Sequence, residues 1–198
     1  MAKLKYFYSV MNAGKSTHLL QVKHNYETFN SNVLLYNHQS DNRYGSDKIS
    51  SRLGIEQPCI SVNHSSDVYI DIKKKHEFQH LACVLVDEIQ FFSYQQVYQL
   101  SDVVDYLNIP VITYGIKTNA FGELFEGSKA IIELADNIEE IKQLCFCGSK
   151  ATMVRRFDTN GDIVKQGEEV VSGAEEKYIS LCRKHFKTLE NVNSVLKH

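Results

Sequence analysis

Leu4-Lys5-Tyr6-Phe7-Tyr8 runs directly into Ser9-Val10-Met11-Asn12-Ala13-Gly14-Lys15-Ser16. An apolar strand that delivers a Gly-Lys-Ser turn to a helix is the wording of a phosphate-binding loop. Ser9 stands where G-x-x-x-x-G-K-[ST] has its first glycine. The residues of such a loop have separable jobs. Its backbone N–H groups converge on phosphate oxygens, Lys15 brings positive charge to the terminal phosphates, and the Ser16 hydroxyl ligates Mg²⁺. The helix that begins near Lys15 aims its positive dipole end at the same anion.

Outward from the loop, strands and helices alternate. Leu19, Val22, Tyr26 and Phe29 recur at helical spacing. Asn32 to Asn37 reads as a buried strand, and the polar residues 38–56 read as a loop. A helix is expected around Asp67 to His76. Leu81 to Val86 is a continuous apolar run, as in a parallel strand covered on both faces. Ser93 is a good N-cap for a helix marked by Val97, Leu100, Val104 and Leu107. Pro110 opens a short strand, Val111 to Tyr114, and a helix near Ser128 to Ala135 follows. The alternation predicts an α/β fold, a P-loop NTPase-like parallel sheet flanked by helices.

The character changes near Leu144. Cys145-Phe146-Cys147-Gly148 opens a segment of short strand-like runs, in which 153–157 and 163–166 flank an Asn160-Gly161 hairpin turn. The expected division is an α/β domain over 1–143, a small zinc-stapled lasso or lid domain over 144–190, and a tail over 191–198.

The 198 residues, 43% hydrophobic and 23% charged, suit one domain with a small appendage. The formal charge of −2 and the absence of a basic stripe disfavour nucleic acid as a partner. No apolar stretch approaches the roughly 18 residues of a membrane helix, and no signal-peptide core is present, so a cytoplasmic location is expected. Five cysteines in a reducing compartment argue against a disulfide framework.

Two constellations carry further chemistry. Val84-Leu85-Val86-Asp87-Glu88 is an apolar strand ending in a carboxylate, the second half of a phosphate-loop site, where Asp87 serves Mg²⁺. Strand alternation would send Glu88 elsewhere, toward a proton of an attacking hydroxyl or of water. Cys145-x-Cys147 with Cys182-x-x-His185 offers three thiolates and an imidazole, a closed tetrahedral set for structural Zn²⁺. Arg43 could stabilise phosphoryl charge with Asp41 orienting it, or be a solvated loop arginine. Phe91 and Phe92 stack on a base or fill the core. Gly167 to Tyr178 forms a lid or an exposed hairpin.

Taken in order, Met11 to Thr17, Asp41-Asn42-Arg43-Tyr44, Asp87 to Phe91, Tyr114-Gly115, Phe121 to Phe125, the Cys145/Cys147 pair, Val170 to Gly173, Tyr178 and Cys182-x-x-His185 resemble the zinc-containing thymidine kinase family. The likeness spans about residues 4 to 186. The M-N-A-G-K-S-T wording is similar to its bacterial branch, which also tolerates Ser at the first loop position. The resemblance implies transfer of the ATP γ-phosphate to the 5′-hydroxyl of thymidine or deoxyuridine. It implies an ATP and Mg²⁺ site made by Ser9, Val10, Met11, Asn12, Ala13, Gly14, Lys15, Ser16, Thr17, Asp41, Asp87 and Gln90. Glu88 would be the general base and Arg43 a phosphoryl contact. Phe91, Phe121, Glu169, Val170, Val171, Ser172, Gly173 and Tyr178 would meet the nucleoside. It also implies a homotetramer and inhibition by thymidine triphosphate (dTTP).

Two other classes fit parts of the sequence. One is a zinc-stabilised P-loop ATPase or NTP switch in which Glu88 activates water. The other is a non-catalytic zinc module.

Overall fold

The computed structural model describes residues 1–41, 47–51, 53–165, 167, 177–188 and 192. Its centre is a six-stranded sheet in the order β5-β2-β6-β7-β1-β8, with every neighbouring pair parallel. The strands are β1 (Leu4–Ser9), β2 (Val33–His38), β5 (Ile60–Val62), β6 (Cys83–Val86), β7 (Val111–Ile116) and β8 (Asn137–Glu140). Four of the five connections carry a helix: α1 (Lys15–Thr28), α2 (Val68–Phe78), α3 (Tyr94–Leu107) and α4 (Glu126–Leu134); among the described residues, the connection from β2 to β5 carries β3 (Lys48–Ser50) and β4 (Glu56–Pro58) instead.

Period-two alternation divides the core between the sheet's two faces. On one face Tyr6, Tyr36, Val84, Val86 and Val111 meet Val68 and Ile72 of α2, Val97, Leu100 and Val103 of α3, and Ala130 and Ile131 of α4. On the other, Leu35, Cys83, Leu85, Ile112 and Tyr114 meet Leu19 and Leu20 of α1. The central strands β6 and β7 are buried along their whole length, as a doubly covered parallel sheet requires.

Helix starts follow local chemistry. Ser93 caps α3 by accepting from the Gln96 N–H, and the Gln96 side chain returns the bond to the Ser93 N–H. Asp67 caps α2 by accepting from the Ile70 N–H.

The observed elements depart from the sequence reading in several places, of which β5 is one. Phe29 is no helix-face residue: it is the C-cap of α1 and 82% exposed, while Leu19, Leu20 and Lys23 make the buried stripe. Residues 38–56 are not all loop. β3 (Lys48–Ser50) pairs antiparallel with β4 (Glu56–Pro58), and of the described residues of these two strands only Ile49 enters the apolar core, too little for a periodic pattern. The short edge strand β8 escaped notice because Asn137-Ile138-Glu139-Glu140 is mostly polar. Finally, β9 (Met153–Phe157) pairs along its length with β10 (Lys177–Leu181). The Asn160-Gly161 turn does close, with Phe157 bridged antiparallel to Ile163, but among the described residues the pairing after it is that one bridge. The five-residue ladder with β10 wins over the local hairpin.

β9, β10 and α5 (Arg183–Thr188) surround a second small core of Cys145, Ala151, Val154, Phe157, Leu181, Cys182 and Val192. Val10 and Met11, from the loop after β1, complete it. No helix among the described residues is long and apolar enough to cross a membrane.

Candidate active site

The loop after β1 lies at the carboxyl ends of the sheet strands, where parallel α/β sheets hold ligands. Ser9 still belongs to β1, in register with Ile116, and is buried. Its hydroxyl donates to the Ile141 carbonyl at 2.5 Å. Left-handed backbone falls later, at Asn12 (φ 64°) and Gly14 (φ 80°). Gly14 therefore supplies the conformation that a side chain would resist, whereas position 9 makes no such demand. Lys15 is buried and donates from Nζ to the Val10 carbonyl at 2.9 Å. Ala13 is half-buried in the loop, and Thr17 is half-buried in the first turn of α1.

Asp87 follows the end of β6. β7 lies between β6 and β1, yet the first turn of α1 reaches across it. Ser16 Oγ donates to Asp87 Oδ2 at 2.8 Å, joining two sequence motifs 71 residues apart. Asp87 Oδ1 accepts the Glu88 N–H at 3.0 Å. Burial, and after it the Glu88 charge, push the Asp87 carboxyl up to about 7, against the Ser16 hydrogen bond and the Lys15 charge.

Glu88 is a non-glycine residue at φ 50° and ψ 42°. That conformation costs of order 1–3 kcal/mol. The strand has already ended at Val86, so the left-handed turn, and not strand alternation, separates Glu88 from Asp87. It feeds a 3-10 turn over Ile89–Phe91. Gln90 donates to the Glu88 carboxylate and accepts the Ile116 N–H at 3.1 Å, so its side chain ties Glu88 to β7. Gly127 of α4 lets this turn seat closely: a Cβ there would meet the Ile89 carbonyl oxygen at 2.2 Å.

The two phenylalanines divide their roles. Phe92 is fully in the core, while Phe91 is half-buried, edge-on to Phe125 with ring centroids 6.1 Å apart. His38, at the end of β2, lies beside both rings. Its Nδ1 accepts the Ser40 N–H at 3.1 Å, and its Nε2 has no partner among the described residues. Burial, and then His64, lower its pKa to about 4. Asp41 accepts from Asn37 at 3.3 Å and donates its N–H to the His38 carbonyl. Phe121 is half-buried in a turn whose N–H groups, at Phe121 and Glu123, both donate to Asn119 Oδ1 at 3.0 Å. Tyr178 is half-buried on β10 against the small core. Arg43 and the segment Glu169, Val170, Val171, Ser172 and Gly173 lie outside the described residues. His38 beside Phe91 and Asn119 beneath the Phe121 turn are single polar residues that no sequence motif marks.

The four expected metal ligands come together, with ligand atoms all within 4.8 Å of one another. His185 Nδ1 lies 3.5 Å from Cys145 Sγ and 3.4 Å from Cys182 Sγ, and the Cys147 and Cys182 sulfurs are 4.0 Å apart. A tetrahedron with ordinary Zn–S and Zn–N bonds requires about 3.8 Å between sulfurs and about 3.6 Å from sulfur to nitrogen. The donor set and its spacing therefore fit Zn²⁺ with no open position. Hydrogen bonds from Ser149 draw the Cys147 thiol down to about 6, toward the thiolate a metal needs.

Residues 2–186 match the family model described as Thymidine kinase. The chain belongs to the thymidine kinase family. The thymidine kinase of Mannheimia succiniciproducens is 50% identical over 187 residues, 94% of this chain and 96% of its own length. That of Escherichia coli (strain K12) is 47% identical over 195 residues, 98% of this chain and 95% of its own. That of Salmonella paratyphi A is 47% identical over 187 residues, covering 94% and 91%. Thymidine kinase membership makes the chain a nucleoside kinase, a transferase that uses ATP. The water-activating switch receives no support from these matches.

Proposed function

We propose that this chain transfers the γ-phosphate of ATP to the 5′-hydroxyl of thymidine, and of deoxyuridine, in nucleotide salvage in the cytoplasm. The observation that carries the proposal is the 2.8 Å hydrogen bond from Ser16 to Asp87, which joins the phosphate loop to the carboxylate strand. In this reading Ser9 to Thr17 cradle the phosphates, and Lys15 leaves the Val10 carbonyl to meet the terminal phosphate. Ser16 and Asp87 would hold Mg²⁺, which would neutralise charge on the phosphates. Asp41 and Arg43 flank the phosphoryl group.

Glu88 is proposed as the general base that takes the 5′-hydroxyl proton. Gln90 holds its carboxylate, and the left-handed backbone turns it away from the Asp87 metal position. Phe91 would pack on the thymine, with Phe121, Tyr178 and the segment 169–173 closing around it. The unit over 1–143 would carry ATP. The Zn²⁺-held unit over 144–190 would carry the ends of the nucleoside lid. A homotetramer inhibited by thymidine triphosphate completes the proposal.

A screen of labelled-ATP transfer across the nucleosides tests it. Thymidine and deoxyuridine should be phosphorylated and deoxyadenosine rejected. Phosphate released at the same rate without any nucleoside would overturn the kinase reading.

A further inference from the structure

Three successive carbonyls of the phosphate loop are each held by a side chain. The Val10 carbonyl accepts from Lys15 Nζ at 2.9 Å, the Met11 carbonyl from Ser180 Oγ at 2.9 Å, and the Asn12 carbonyl from Gln143 Nε2 at 2.8 Å. The first donor belongs to the loop motif. The other two come from the far end of the chain. Ser180 lies on β10, 169 residues from Met11, and Gln143 lies just before the first metal-site cysteine, 131 residues from Asn12.

No peptide bond here is cis. In a trans peptide the C=O and the following N–H point in opposite directions. Holding the Met11 carbonyl therefore aims the Asn12 N–H, and holding the Asn12 carbonyl aims the Ala13 N–H. These are groups that a phosphate loop turns on its anion. The hold matters because Asn12 sits at φ 64°, where a non-glycine residue stays only if its surroundings keep it there. Apolar contacts pull the same way: Val10 and Met11 pack against the small core that includes Cys145, Leu181 and Cys182.

We infer that Ser180 and Gln143 are positioning residues for the phosphates of the nucleotide. The metal-held segment thus sets the geometry of the ATP side of the site, apart from any part it plays on the nucleoside side. The inference rests on the reading that this loop takes ATP phosphates.

The test uses the full zinc-loaded chain with S180A, Q143A and the double variant. ATP and thymidine are varied independently, and a fluorescent ADP analogue is titrated. Each single variant should raise the KM for ATP and the Kd for the analogue about three- to tenfold. The KM for thymidine should stay within twofold and the zinc content should not change. S180T keeps the hydroxyl at a strand position suited to β-branching and should restore binding. Unchanged analogue affinity in S180A and Q143A would overturn the inference while thymidine phosphorylation by the wild type upheld the reading beneath it. A parallel rise in both KM values with loss of zinc would also overturn it, as a general structural effect. A wild type whose analogue binding is indifferent to K15A would overturn that underlying reading and the inference together.

Discussion

Asp87 and Glu88 are neighbours with different demands on the fold. Asp87 is buried, and its carboxyl sits well above the ordinary 3.8. Between 3.8 and about 7 the folded chain keeps a proton that the unfolded chain has lost. The stability from this group is therefore full below that window and falls as pH rises through it. D87N should flatten this fall in the ligand-free protein. It should raise the melting temperature at pH 8 by roughly 2–4 °C for each kcal/mol relieved, while abolishing transfer. Calorimetry at several pH values checks the sign; a lower melting temperature at pH 8 would contradict it. E88Q acts on the chemistry. It should lower kcat by about 10²–10⁴ with ADP-analogue affinity kept, and retained turnover would remove Glu88 as the base. Asp87 was legible as a carboxylate closing an apolar run. The left-handed turn at Glu88 was not, because an acidic residue gives no warning that its backbone will be strained.

At the scale of elements, the 3-10 turn over Ile89–Phe91 is the piece that carries Phe91, and α4 is what seats it. A Cβ at Gly127 would lie 2.2 Å from the Ile89 carbonyl oxygen and 2.6 Å from that of Phe92, both backbone atoms. G127A must therefore push α4 off the turn. A loss of about 1–3 kcal/mol is expected, with kcat/KM for thymidine falling more than the affinity for ATP. Denaturant unfolding and two-substrate kinetics read both effects. The major strands and helices were legible because they carry enough buried apolar residues to show a continuous run, as in β6, or a helical period, as in α3. β3, β4, β5 and β8 have three or four residues each, and their place comes from pairing partners far along the chain. The meeting of Cys145, Cys147, Cys182 and His185 was legible from spacing alone. What spacing could not reveal was that the small core they organise also takes in Val10 and Met11.

For the whole molecule, the segment around the Cys145, Cys147, Cys182 and His185 cluster reaches back to the loop after β1 through Gln143 and Ser180. Metal analysis should find about one zinc per chain. Stripping it with a strong chelator should lower the thermal transition and expose Cys145 and Cys182, now buried, to a thiol reagent. Unchanged melting and thiol reactivity would remove zinc as the staple. The long reach of the loop contacts also bears on how the protein is made. Ser9 is tied to Ile141, Asn12 to Gln143 and Met11 to Ser180. Residues of the loop thus wait for partners made 131 to 169 positions later. At typical translation speeds of about 5–20 residues per second, that wait is on the order of 10–40 s for a chain of this length. The Gly14-Lys15-Ser16 loop is therefore completed only after β10 has been made. A chain stalled before β10 would hold its lysine and serine without the partners that shape the loop around them.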